Sequence, residues 1–200
     1  DAVDERLLRR MRGVGFQTVA FGVEAGNNRM LQVLKKQESI EVIEDAVKLS
    51  CDLGFDVILF FLVGSPSETW SDVQQSIALA RKYPIYEARF YNITPFPGSE
   101  LFEWVERHGR FLRHPDEYLN DASFFENSPC FETPELSGAQ RRELLSLTAR
   151  VSKEIRRDAL TRRLRLTPAS AASMTRKRCN SGGTRTMKRP LYPLVAKGLG

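Results

Sequence analysis

One pattern recurs three times along the chain, and it leaves few architectures open. Each unit is a short β-type run, then a loop containing Gly or Pro, then a helical stretch, with a period of about 40 residues. Residues 4–12 have a helical period and are stopped by Gly13 and Gly15. Thr18–Glu24 then alternates as a strand, with Val19, Phe21 and Val23 on one face and Thr18, Ala20, Gly22 and Glu24 on the other. A glycine-containing loop leads to a helix from about Ser39 to Leu53. Ser39 is a natural N-cap there, and Ile40, Ile43, Val47 and Cys51 form the apolar stripe. The second unit begins with Val57–Gly64, apolar on both faces as a strand covered on both sides of a parallel sheet would be. Its helix runs from about Trp70 to Lys82. The third pairs the strand Tyr86–Thr94 with a helix from about Ser99 to Arg107. Gly15-Phe16 and Gly54-Phe55 stand at equivalent places before their strands. Strand, loop and helix in series are consecutive βα units, so the chain is expected to be α/β with a parallel sheet and right-handed crossovers. Three units are too few to close a barrel.

In parallel α/β architectures, ligands sit at the carboxyl ends of the strands, where helix N-termini converge. All three ends here are unusual. The first, Gly22-Val-Glu-Ala-Gly26, puts a carboxylate at the mouth. The second, Gly64-Ser-Pro66, lets a flat ligand approach the backbone. The third, Asn92-Ile-Thr-Pro-Phe-Pro-Gly98, is a rigid polar-to-apolar turn. Each also admits a purely structural role: Glu24 as a cap for the next helix, Gly64 as a turn former, the Pro-Phe-Pro-Gly run as a stiff loop.

Four ordered stretches within residues 1–110 carry a resemblance. They are Val3-Asp-Glu-Arg-Leu-Leu-Arg-Arg-Met11 leading to Phe21-Gly-Val-Glu-Ala-Gly26, the Lys35-Lys36-Gln-Glu-Ser39 stretch, Phe61-Leu-Val-Gly-Ser-Pro-Ser-Glu-Thr69, and Pro95-Phe-Pro-Gly-Ser-Glu-Leu101. Together they resemble the second half of the radical S-adenosylmethionine domain, in the group that holds cobalamin-binding members and the MiaB-like and Elp3-like enzymes. The resemblance implies three βα units forming the second half of a partial (βα)6, TIM-like barrel. It also implies an enzyme that binds S-adenosylmethionine against a [4Fe-4S] cluster and turns it into a 5′-deoxyadenosyl radical. That radical would act on a small-molecule or biosynthetic-intermediate substrate. By position, Glu24 with Ala25 and Gly26 would face the ribose and methionine side of the cofactor. Lys36 would pair with its carboxylate. Val63 and Gly64 would lie against adenine, with Thr94, Pro95 and Phe96 nearby.

Two departures stand out. Ala25 replaces the serine usual in the Glu-Ser-Gly turn. The cysteine loop that ligates the cluster is not in this sequence: Cys51, Cys130 and Cys179 lie far apart, and close spacing is needed to hold irons. No metal ligands are therefore assigned here. The cluster loop is expected upstream of Asp1, a cobalamin domain in the parent protein is left open, and this chain alone is expected to be inactive.

The remaining sequence is different in kind. Residues 108–135 are loop-like and aromatic, and His108 and His114 read as solvated or helix-capping. Leu136–Leu166 reads as a helix after Ser137, with Leu144, Leu147, Val151 and Ile155 on one stripe and arginines elsewhere. Charge divides the chain sharply. Residues 1–140 carry 14 Lys/Arg against 22 Asp/Glu, and residues 141–200 carry 16 against 3. From Thr167 onward the composition is Ser, Thr, Gly, Arg and Lys, expected to be a disordered tail. The expected domains are therefore 1–112, the barrel half; 113–166, the aromatic loop and helical extension; and 167–200, the basic tail. A second reading makes the α/β body a non-catalytic binding module whose tail grips RNA or an anionic membrane surface. The longest apolar run, Val57 to Val63, is far short of the roughly 18–20 residues of a membrane span. With an acidic start and no initiator Met, the chain reads as cytoplasmic and as a piece of a longer protein.

Overall fold

A computed structural model describes residues 3–120 and 128–165. The chain divides into two units, Asp1–Arg163 and Leu164–Gly200, and the whole sheet lies in the first. Phe124 and Phe125 and the basic segment 167–200 lie outside the described residues.

The three βα units are present. Helix α1 (Glu5–Gly13) starts at Asp4, whose carboxylate accepts from Leu7 N–H at 2.6 Å. Strand β1 (Thr18–Glu24) is followed by α2 (Asn28–Val33) and α3 (Ile40–Asp52). Strand β2 (Asp56–Val63) leads into α4 (Trp70–Lys82), and β3 (Glu87–Asn92) into α5 (Glu100–His108). The strands pair in parallel in the order β1-β2-β3, as a βα series requires. Polar caps begin the helices: Asn27 for α2, Ser39 for α3, a Thr69–Asp72 capping box for α4 and Ser99 for α5.

Burial differs from the sequence expectation at β2. Val57, Leu59, Phe61 and Val63 are buried, whereas Ile58, Phe60 and Leu62 on the other face are only half-buried. Crossovers of one hand place their helices on one side of the sheet, so that side gains the core. There Val23, Phe61 and Ala88 belong to the same cluster as Ile43 and Val47 of α3, and Val73 and Ile77 of α4. On the opposite face Ala20, Gly22 and Tyr91 are exposed, and the Phe60 and Tyr91 rings stand 6.0 Å apart.

The segment after α5 holds more structure than a loop. Two-residue strands β4 (Arg110–Phe111) and β5 (Phe131–Glu132) pair antiparallel, and α6 (Pro115–Leu119) stands between them in sequence. Val105, Tyr118, Cys130 and Phe131 make a second small core. His114 caps α6, as expected for a capping histidine, and the His108 ring lies 5.4 Å from that of Trp104. Helix α7 (Gly138–Arg165) buries Leu144, Val151 and Ile155 in the main core. It also buries Arg141 completely, against the expectation that its arginines lie off the apolar stripe.

Candidate functional site at the carboxyl ends of the strands

At the end of β1 the pairing with β2 shifts by one residue between Gly22 and Glu24. Glu24 takes a left-handed backbone, φ 67°, which costs a non-glycine residue roughly 1–2 kcal/mol and needs support from its surroundings. Its carboxylate folds back over Gly22: a Cβ at position 22 would stand 2.6 Å from Glu24 Oε1. The glycine is what gives the carboxylate room on the open face of the sheet. Helix α2 is capped by Asn27, so Glu24 is not spent as its cap.

The next two residues turn the other way. Ala25 is buried, and Gly26 lies so close to α4 that any side chain would overlap the backbone of Gln75 and Ser76. Gly26 N–H donates to Ser76 Oγ at 2.9 Å. The β1–α2 turn is bound further to the start of α4 by Asn27 Nδ2 to Asp72 at 2.9 Å and by the Arg29–Asp72 ion pair. The first two strand ends are thereby fixed to each other.

A cleft of 390 Å³ lies between β1 and α3, where Ala20, Gly22, Lys36, Glu38, Val42 and Asp45 form part of its wall. Lys36 Nζ reaches Glu38 at 3.3 Å and is three-quarters buried. Gly22 thus belongs both to this cleft and to the floor beneath Glu24. A second cleft of 390 Å³ opens between Leu34, Pro66, Ser67, Ile93 and Trp104, closed at one side by the exposed Lys35–Glu100 pair at 2.6 Å.

The end of β2 is built around two buried charges. Gly64 has φ 93°, and Glu68 accepts from the N–H groups of Gly64 and, at 3.3 Å, Ser65. Burial pushes the Glu68 carboxyl up to about 7, despite these two bonds and the nearby charge of Arg141. Arg141 is fully buried, with its guanidinium 3.9 Å from the centre of the Phe131 ring and Nη2 3.4 Å from Asn92 Oδ1. Burial pulls it down to about 10, which leaves it charged at neutral pH. Val63 O accepts from Ile93 N–H at 3.0 Å, so Val63 O and Gly64 N–H are both already engaged.

Asn92 ends β3 and is buried, bonded through Nδ2 to Ser128 O at 3.3 Å. Thr94 Oγ1 is buried without a hydrogen-bond partner. The Pro95 carbonyl accepts from Tyr118 Oη at 2.7 Å, and Phe96 is half-exposed.

The structure therefore gathers the sequence-derived residues in two groups. Glu24 lies over Gly22, which shares a cleft with Lys36 at the edge strand β1, whereas Val63 and Gly64 adjoin the end of β3 through paired strands. Thr94, Pro95 and Phe96 follow that end, and Ala25 and Gly26 face the helices. Glu68 and Arg141 were not singled out from sequence. Positions 141, 144, 148, 151 and 155 share one helical face, so the spacing did mark Arg141 as inward. Among the described residues no group of three or more His, Cys, Asp or Glu could hold a metal ion. No helix among them is long and apolar enough to cross a membrane.

Comparison with known proteins agrees with the motif reading. An uncharacterized methyltransferase of Pyrococcus horikoshii is 34% identical over 102 residues, covering 51% of this chain and 22% of its own length. Cytidylyl-2-hydroxyethylphosphonate methyltransferase of Streptomyces wedmorensis is 32% identical, covering 58% of this chain and 23% of its own length. Anaerobic magnesium-protoporphyrin IX monomethyl ester cyclase of Rubrivivax gelatinosus is 32% identical, with 50% and 18% covered. The match spans about a fifth of the length of these relatives. Coproporphyrinogen III oxidase of Escherichia coli, described as a radical SAM enzyme, is similar in structure over 77% of this chain and 30% of its own, with 14% identity and a TM-score of 0.49. The family model of the radical SAM superfamily matches residues 1–80, from α1 through most of α4.

Proposed function

We propose that the three βα units are the cofactor-facing second half of a partial (βα)6 barrel in a radical S-adenosylmethionine enzyme. The observation that carries this reading is Glu24, held in a left-handed backbone with its carboxylate over Gly22 on the open face. Such strain, unexplained by capping, is what a ligand-facing carboxylate would need.

The donor set suits S-adenosylmethionine. Glu24 would accept from ribose hydroxyls, with the Ala25-Gly26 turn fixing its backbone against α4. Lys36 would pair with the ligand carboxylate in exchange for Glu38. Val63 and Gly64 are buried and the Arg141 guanidinium fills the space beside Gly64, so adenine would reach this strand end only past Arg141, with Thr94, Pro95 and Phe96 beyond. The described residues do not suit an iron–sulfur cluster: no three ligands converge, Cys130 is buried and Cys51 half-buried. The cluster ligands would come from sequence outside this chain. When bound, cofactor and cluster supply reductive cleavage of the sulfonium and a 5′-deoxyadenosyl radical for hydrogen abstraction. This chain's own share is to orient the nucleoside and methionine ends and keep water from them.

The substrate would be a small organic molecule or biosynthetic intermediate in the cytoplasm, and relatives named for methyl transfer and ring closure support that class. A cobalamin domain elsewhere in the enzyme fits the same reading. The domains would be 1–112 for the barrel half, 113–166 for its extension and 167–200 for the basic segment. Titration of S-adenosylmethionine into the isotope-labelled chain tests the assignment by amide shifts. Movement at residues 22–26, 36 and 63–64 is expected; no movement there at millimolar ligand would refute it.

A further inference from the structure

Arg141 leads the fully buried side chains in volume, and its Nε and Nη1 have no hydrogen-bond partner. A buried guanidinium so poorly bonded is costly unless opposite charge answers it. Three elements meet it. Asn92 at the end of β3 accepts from Nη2, the Phe131 ring of β5 lies under the guanidinium, and Gly64 lies against it so closely that any Cβ there would overlap it. Four residues past Gly64, the Glu68 carboxylate takes the N–H groups of Gly64 and Ser65.

We infer that Arg141 is a positioning residue for the Gly64–Glu68 loop, filling the space beside Gly64 and supplying a charge that favours the anionic form of Glu68, the better acceptor for the loop's two N–H groups. A neutral carboxyl oxygen is a weaker acceptor than a carboxylate oxygen, so loss of the charge loosens both bonds at once. Asp72 of α4 and Arg141 are the charged groups that bear on Glu68, and they act in opposite directions. Arg141 in turn feels Cys130, Glu68 and Glu132. Without Arg141, burial and Asp72 both disfavour the carboxylate, and near neutral pH Glu68 has little margin. In this way α7, in the extension beyond the three βα units, sets the shape of a strand end in the candidate site. The inference rests on the proposed function only for what that loop would hold, and its test needs no ligand, so the two fail separately.

The test is an NMR titration of the Glu68 carboxyl together with the Gly64 and Ser65 amides. In the unaltered chain all three should share a midpoint near 7. In Arg141→Met the midpoint should rise by about 1 pH unit or more, and Arg141→Lys, which keeps the charge, should stay nearer the original. An Arg141→Met midpoint equal to the original overturns the inference. Where Arg141→Met does not fold, the Arg141 Nε–H resonance decides. It should follow the Glu68 midpoint in the unaltered chain and stop doing so in Glu68→Gln; a resonance indifferent to Glu68 overturns the inference equally.

Discussion

The guanidinium of Arg141 stands where a side chain at position 64 would stand. Gly64 is also left-handed, φ 93°, so Gly64→Ala meets two obstacles, a backbone that alanine resists and a buried cation with nowhere to go. Chemical denaturation should show a loss of about 2–4 kcal/mol. A loss below about 0.5 kcal/mol would mean that α7 yields freely.

Tyr118 Oη bonds the Pro95 carbonyl from within the second core. Tyr118→Phe removes the donor and leaves that carbonyl unanswered, for a cost of about 1–2 kcal/mol. Thermal unfolding of the variant measures it, and an unchanged midpoint would show that the Pro95–Gly98 turn is held by other contacts.

Glu68 makes stability depend on pH in an unusual direction. Its carboxyl is raised from 4.5 to about 7 by burial, so the folded chain holds a proton that the unfolded chain releases. The resulting stability is fully present below about 4.5 and is lost as pH rises through about 7. Denaturation of Glu68→Gln at pH 5 and pH 8 should therefore show a flatter profile across that window than the unaltered chain. Parallel profiles would place the titration elsewhere.

Burial raises the thiols of Cys51 and Cys130 to about 11 each. Thiolate is the reactive form, so both should alkylate far more slowly than a free thiol at neutral pH. Peptide mapping after iodoacetamide treatment reads the two sites separately. By the same logic anaerobic reconstitution should load no stoichiometric iron on the described part of the chain; iron held through Cys51 or Cys130 would contradict the site as drawn.

Much of this fold was legible because its signals are periodic and local. The alternation in Thr18–Glu24 placed β1, and the helical stretch Trp70–Lys82 after the Ser65–Thr69 loop placed α4, at their observed limits. Helix α2 went unread since six residues give less than two turns of pattern, although Asn27 before the buried Met30 and Leu31 is an N-cap signal. The two-residue strands β4 and β5 carry no pattern at all. At the site, the motif turns located Glu24 and Gly64 but not the use of Glu68. Arg141 lay on the buried stripe of α7, yet a charge argues for solvent, and its partner Asn92 stands 49 residues earlier in the chain. Only the folded chain brings those two together.

Calorimetric titration of S-adenosylmethionine against Glu24→Gln in the cluster-bearing enzyme tests the ligand-facing role of Glu24 most directly. Glutamine keeps the size and the left-handed turn, so melting should stay near that of the unaltered protein. Affinity for S-adenosylmethionine should weaken by about 1–3 kcal/mol, the scale of a lost charged hydrogen bond. Unchanged affinity, with or without a change in melting, would contradict a ligand-facing Glu24 and with it the proposed site.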